Sequence, residues 1–188
     1  MTTHRLDPRI DSLETLETAL WDELVLAAAT KGHPWRTPVL ATAAGDRPDA
    51  RTMVLREVDR GARRLRFFTD ARAPKAGQLQ RQPEGMMVMW SQALSWQLRL
   101  RVAIELHTDG LTVSSRWARL KMTPAAQDYL SPLPPGTPLP RPLAPERTTR
   151  EHFALGDARV LTMDWLELRA GGHRRAIFDT EGARWVQP

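Results

Sequence analysis

The chain has 188 residues, 41% hydrophobic and 26% charged, a composition that fits one soluble globular domain with its own core. It contains no cysteine, which excludes a disulfide framework, thiolate metal ligation and thiol catalysis. The net charge is +5, from 27 basic and 22 acidic residues. That field is too modest and too scattered for a nucleic-acid surface, where charge concentrates on one helix or stripe. No apolar run approaches the roughly 18 residues of a spanning helix, and the stretch before Leu13 has no apolar h-region. The expectation is a cytoplasmic protein with no membrane and no nucleic-acid partner. Only Lys31, Lys75 and Lys121 among the basic residues are lysines. Arginine in such excess favours planar, multidentate recognition of phosphate or carboxylate groups.

Residues 12–31 read as an amphipathic helix, with Leu13, Leu16, Leu20, Trp21, Leu24, Val25 and Ala28 on one face. Asp11 and Glu14 resemble a capping box, Gly32 sits where a C′ residue belongs, and His33-Pro34 breaks the helix. Pro38–Ala44, Arg51–Asp59 and Leu65–Thr69 read as three strands of a meander, with turn chemistry at 45–49 and at Gly61. Pro74–Gln82 reads as a short helix opened by its proline. Gly85–Ser91 is a continuous apolar run, as in a strand buried on both faces. The clearest strand is Ser95–His107, which alternates apolar and polar residues over 13 positions, a length that suits a coiled barrel. Leu111–Leu120 and Ala125–Leu130 read as helices. Residues 124–145 hold eight of the 15 prolines and form a semi-rigid surface connection. Arg147–Leu155 reads as a last helical turn or two. Arg159–Arg169, His173–Phe178 and Arg184–Val186 read as closing strands, the first two joined by a hairpin at Gly171-Gly172. There is no internal repeat and no domain boundary, so 1–188 is read as one domain.

Several chemistries are missing. There is no G-x-G-x-x-G, no Walker loop and no G-x-S-x-G elbow. The five histidines are scattered and none pairs with another at ligand spacing, so no metal is expected. What remains is an ordered series: Arg51-Thr-Met-Val-Leu-Arg56, then Phe67-Phe-Thr-Asp70-Ala-Arg72-Ala-Pro-Lys75, then Trp90-x-x-x-Leu94-x-x-Gln97-Leu-Arg99, and last His173-Arg174-Arg175. Taken singly, Arg51 and Arg56 read as solvated strand residues, Thr69-Asp70 as a turn pair and Gln97 as an outward strand residue. A first-turn lysine such as Lys75 opposes the helix dipole unless an anion is present.

In order and spacing, the series resembles the pyridoxamine 5′-phosphate oxidase superfamily of FMN-binding split barrels. The resemblance runs from about Pro38 to the end and is weakest in its last block. It implies a mainly β fold: an antiparallel split β-barrel of six or more strands with flanking helices. It also implies a homodimer with FMN at the interface, and flavin hydride transfer on a small-molecule substrate. The cofactor-binding residues it implies are Arg51, Thr52, Met53, Val54, Phe68, Thr69, Arg72, Lys75, Gln97 and Arg175, with Arg56 and Arg174 on the substrate side. Which of Arg174 and Arg175 faces the flavin stays open, and no catalytic acid or base stands out. The chemistry agrees. A nearly doubly charged phosphate needs charge-assisted donors such as Arg51, Arg72 and Lys75, and Pro74–Lys75 opens a helix whose free N–H groups favour an anion. Backbone groups at Met53–Val54 suit the ring edge, and Gln97 offers both a donor and an acceptor to its polar end.

The sequence departs from the pattern at several places, and taken together they leave the flavin half of the site kept and the vitamin half rebuilt. Ala73-Pro74-Lys75 replaces a Ser-Arg-Lys run, with the arginine at Arg72. Trp96-Gln97 replaces an Arg-Gln pair, Leu166 stands where an aromatic is expected, and Ala176-Ile177 follows Arg175 where polar groups are expected. These changes predict a flavoprotein whose acceptor is not pyridoxamine phosphate. The alternatives are a non-catalytic flavin carrier or sensor, or a split barrel that uses deazaflavin or haem.

Overall fold

A computed structural model describes residues 10–141 and 152–188. Helix α1 spans Leu13–Ala29. Its cap is Ser12, one residue later than the expected Asp11: the hydroxyl accepts the Thr15 amide at 3.1 Å. Leu16, Leu20, Trp21, Leu24 and Ala27 are buried against strand β3 (Leu55–Asp59). Val25, expected on this face, is 45% exposed, because it lies about 100° round the helix from Leu24. A 3-10 turn, Pro34–Arg36, follows, with the His33 ring accepting the Trp35 amide at 3.1 Å.

The other strands are β1 (Val39–Ala44), β2 (Arg47–Thr52), β4 (Arg64–Asp70), β5 (Glu84–Ser91), β6 (Trp96–His107), β7 (Phe153–Glu167), β8 (Arg174–Asp179) and β9 (Gly182–Val186). They join β3 in one antiparallel sheet of order β2-β1-β5-β6-β7-β4-β3, with β8 added to β7 and β9 to β8. This is the split-barrel architecture. Strand β7 pairs with β6 along nearly its whole length, with β4 through its first half and with β8 through its last residues. That branching lets one sheet curl into a barrel and still carry the β8–β9 hairpin.

The expected strand Arg51–Asp59 is in fact two. Met53 and Val54 interrupt it, β2 goes to one end of the sheet and β3 to the other, and the expected meander is absent. Pro48 fits within β2 because β2 is an edge strand. Strand β5 is not buried on both faces. Met87 and Met89 face the core while Trp90 is 45% exposed, so an unbroken apolar run still has an outward side. Of the helical turn expected at Arg147–Leu155, residues 147–151 lie outside the described residues, His152 is in a 3-10 conformation, and Phe153–Leu155 instead open β7. The first six residues of β7 are all buried, so they lack the alternation that marks a strand.

Partners across antiparallel strands share a face. Leu40, Met87, Leu98, Leu100, Met163, Trp165 and Phe178 therefore point together into the core. The opposite face carries two rows in register, Trp90–Gln97–Leu166–Arg175 and Val88–Arg99–Asp164–Ile177. Helix α2 (Pro74–Arg81) packs on β1, and Ala76, Gln78 and Leu79 are its buried residues. Helix α3 (Gly110–Leu120) and a 3-10 turn at Pro124–Tyr129 cover the start of β7. There the Phe153 ring meets Trp117 at 5.3 Å and Tyr129 at 5.4 Å. The proline-rich connection thus opens with a regular turn and is irregular from Leu130 to Arg141, where the described segment ends. No described helix is long and apolar enough to cross a membrane.

Gly156 pairs with Phe67 across β4 and β7, and a Cβ there would fall inside the Phe67 ring. Gly156→Ala should lower stability by about 1–3 kcal/mol, as overpacking does, and adding Phe67→Leu should recover part of the loss. Urea unfolding reads both. A Gly156→Ala protein with the parental midpoint would contradict this register.

Candidate functional site

The residues singled out from the sequence fall into three groups. The first lies on the inner face of the sheet, beside α2. Arg51 is opposite Leu40, so its side chain shares the core face and lies under α2. Its guanidinium donates to Leu40 O at 3.2 Å, Thr42 Oγ1 at 2.6 Å and Gln78 Oε1 at 3.0 Å, and it pairs with Asp49 Oδ2 at 2.5 Å. Gln78 in turn accepts from Thr42 at 2.7 Å and donates to Asp49 at 2.8 Å. Lys75, half-buried, is different: among the described residues no hydrogen bond or ion pair holds it. Burial pushes its ammonium below the ordinary lysine range, and Arg51 adds to the effect, with Asp70 and Asp49 acting the other way. Two cations are thus brought together in a partly dry place, which an incoming anion would relieve.

Thr69 and Asp70 end β4, and Arg72 lies in the turn to α2. Thr69 is buried and Asp70 is 6% exposed. The Asp70 carboxylate accepts the Arg72 backbone N–H at 2.8 Å, its Nε at 3.0 Å and its Nη2 at 2.7 Å. The rest of the guanidinium donates to the Ser131 and Pro132 carbonyls. Arg72 is therefore already engaged, whereas Lys75 is open. Met53 is buried and donates its N–H to Pro38 O at 2.9 Å. Val54 lies outside both neighbouring ladders.

The second group is on the outer face. Gln97 and Arg175 flank Leu166 in one row, beside Trp90. Arg175 grips Asp164 with two bonds at 3.0 and 2.8 Å, and Arg99 binds the same carboxylate. Burial pushes the Asp164 carboxyl up, but the hydrogen bonds from Arg175 and Arg99 outweigh it and hold the group below the ordinary carboxylate range. Thr52 also points to this face, in the row of Val39 and Val88. Arg174 does not. It donates to Glu167 and to Ile10 O, each at 2.8 Å, and lies 5.5 Å from the Trp165 ring centroid. Alternation along β8 separates the two arginines, and Arg175 is the one that shares a face with Gln97.

The third group surrounds Arg56. Its guanidinium lies 5.5 Å from the Phe68 ring centroid, and Phe68 meets Phe153 at 5.1 Å. Tyr129 adjoins it: burial pushes the phenol above its ordinary range, and Arg56 acts the other way. The Arg56 Nε is buried with no partner among the described residues.

The sequence reading missed Thr42, Asp49, Gln78, Tyr129 and Asp164. Gln78 carried a signal, since it is three residues after Lys75 and on the same side of α2. The others are brought in by strand register, which no local spacing shows. Among the described residues, no cluster of histidine, aspartate or glutamate could hold a metal ion.

Residues 18–108 match the family model of the pyridoxamine 5′-phosphate oxidase FMN-binding domain. Solved structures agree over most of the chain. A pyridoxamine 5′-phosphate oxidase-related, FMN binding protein from Nostoc punctiforme PCC 73102 is 26% identical, with a TM-score of 0.69 over 91% of this chain and 96% of that one. PhzG from Burkholderia lata 383, in complex with tetrahydrophenazine-1-carboxylic acid, is 18% identical, with a TM-score of 0.70 over 92% of each chain. General Stress Protein 26 from Bacillus anthracis str. Sterne is 16% identical, with a TM-score of 0.51 over 78% of this chain and 92% of that one. No curated protein matches in sequence. Over residues 18–108 the chain matches the FMN-binding domain of the pyridoxamine 5′-phosphate oxidase family, and its fold is the split barrel of these relatives, at low sequence identity.

The state of Lys75 gives a test that needs no cofactor. A cation whose folded pKa is depressed destabilises the fold at neutral pH, and the penalty fades as pH rises into the lysine range. Lys75→Met should therefore raise the urea midpoint of the ligand-free protein in phosphate-free buffer, and the gain should shrink as pH rises. A methionine variant less stable than the parent would show that Lys75 has a partner.

Proposed function

We propose that the chain is an FMN-dependent oxidoreductase that works as a homodimer, each flavin held between the inner-face cations of one subunit and the outer-face row of the other. One observation carries this reading. Arg51 and Lys75 lie on the α2-covered face of the sheet, while Gln97 and Arg175 lie on the opposite face, with β1 and β5 between β2 and β6. At about 4.8 Å per strand, three strand spacings and a change of face separate the two sets. One small ligand does not span that gap within one chain, but a second chain can bring its outer face to the first chain's inner site. The outer row is suited to burial, since Val39, Val88, Trp90 and Ile177 surround the Asp164 clamp.

The residues present fit a flavin phosphate. Lys75 lacks a partner among the described residues, and α2 begins beside it. Arg51 becomes available when Asp49 swings away, which costs little because Asp49 is 41% exposed on an edge strand. Gln97 and Arg175 would bind the polar edge of the ring, with Leu166 against its surface. Bound FMN supplies hydride transfer, and the protein orients the ring and excludes water. The acceptor is a small molecule other than pyridoxamine phosphate. Past Arg175 the next outward residue of β8 is Ile177, since Ala176 and Phe178 turn into the core. Ile177 offers a phosphate no donor, and the guanidinium groups that share its face, Arg99 and Arg184, are committed to Asp164 and Asp179. The Burkholderia lata protein is in complex with tetrahydrophenazine-1-carboxylic acid, which supports a fold able to hold a small carboxylic acid.

Arg51→Ala and Lys75→Ala should each weaken FMN binding about tenfold to a hundredfold, the loss of one charged hydrogen bond. Asp49→Asn should tighten it. Fluorescence titration reads all three, after mass spectrometry of the released ligand has separated FMN from deazaflavin and haem. Unchanged affinity in both alanine variants would contradict the phosphate assignment.

The FMN-loaded protein should consume little oxygen with pyridoxamine 5′-phosphate. Turnover near 1 per second or faster, about the low end of ordinary enzyme rates, would show that the vitamin half of the site is intact. A protein that holds FMN but oxidises or reduces nothing in a donor screen would be a carrier.

A further inference from the structure

We propose that Arg72 is a positioning residue: held by Asp70, it ties the proline-rich segment 131–141 against the start of α2, so that this segment closes the compartment around Lys75. The proposal rests on the flavin-binding reading for what the compartment holds, but the tie itself belongs to the ligand-free protein.

The Asp70 carboxylate is buried and takes three donors from Arg72, which fixes both the loop and the guanidinium. The fork then presents its outer N–H groups to Pro132 O at 3.1 Å and Ser131 O at 2.9 Å. These carbonyls lie about 60 residues away in sequence and have few local donors, since positions 132, 134, 135, 138 and 140 are all proline. Among the described residues, the hydrogen bonds that leave the segment for the barrel run to Arg72. The others are internal, such as the Thr137 N–H and Oγ1 to Pro134 O at 3.2 and 2.7 Å. Gly136 then comes to rest beside Pro74, the first residue of α2, where a Cβ would lie 4.0 Å from the proline ring. The next residue in α2 is Lys75.

The same geometry makes Arg72 a poor phosphate ligand, although its position in the sequence points to that role. An anion at this guanidinium would face the Asp70 carboxylate, which cannot move aside because it is buried and held by three bonds. Arg51 is paired with an exposed carboxylate and escapes this objection. Lysine cannot replace arginine here, because one ammonium cannot both grip Asp70 at two points and reach two carbonyls.

The experiment is amide hydrogen exchange on the ligand-free protein, combined with the rate of FMN release on dilution. In Arg72→Met and Arg72→Lys, exchange at Leu133 and Thr137, the amides of this segment that donate hydrogen bonds, should accelerate about tenfold or more, the effect of losing charged hydrogen bonds, with β6 and β7 unchanged. FMN release should quicken to a similar degree, with the association rate unchanged. Parental exchange in the methionine variant, or parental protection in the lysine variant, would overturn the proposal. Asp70→Asn should behave like Arg72→Met. If it binds FMN more tightly with exchange unaltered, Arg72 is a phosphate ligand and the proposal is wrong. Lys75→Ala separates the two readings, since it tests flavin binding and should leave exchange across 131–141 as it was.

Discussion

The pairing of β6 with β7 is the constraint on which the rest depends. β7 runs for 15 residues, bonded to β6 on one side and shared on the other between β4 and β8. Its register decides which side chains share a face. A slip of one residue would turn Trp165 outward and put Leu166 in the core. With the register as it is, the aromatic rings of Trp96 and Trp165 meet edge to face at 5.3 Å inside the barrel, and Gln97, Leu166 and Arg175 line up outside it. The same alternation puts Arg174 in a cage of Glu167 and Trp165 and leaves Arg175 on Asp164. Two adjacent arginines thereby acquire different surroundings without any special local sequence.

This division into faces gives the proposed site its form. The cations that would meet a phosphate are clustered under α2, and the groups that would meet a ring lie on the other side of the sheet. Neither set is complete alone. Lys75 sits next to another cation at a cost in stability, and the outer row exposes Trp90 and Val39. Both are liabilities in a lone, empty chain, and both are relieved if an anion enters and a second copy covers the row.

Much of the fold was legible in the sequence because period two and period 3.6 survive wherever one face is wet. β6 and α1 are of that kind. β7 was only half legible. Its first residues are covered on one side by the barrel core and on the other by α3, so Phe153–Ala158 carry no alternation. The break at Met53–Val54 was hidden because both residues are apolar, and only the crossing of the chain to the other end of the sheet reveals it. In the site, the nearness of Arg51 and Lys75 followed from the resemblance. The Asp70–Arg72 tie to 131–132 did not, because it joins segments distant in sequence through backbone carbonyls, which leave no trace in residue identity.

The central claim is that one flavin needs two chains, and mixed dimers test it directly. One chain would carry Arg51→Ala with Lys75→Ala, its partner Gln97→Ala with Arg175→Ala, with the two copies separately tagged and purified together. Neither homodimer should retain FMN. In the mixed dimer one of the two sites would be assembled wholly from unaltered groups, so the account predicts one FMN per dimer, read from flavin absorbance against protein. If the mixed dimer is as empty as the homodimers, each site lies within a single chain and the account is wrong.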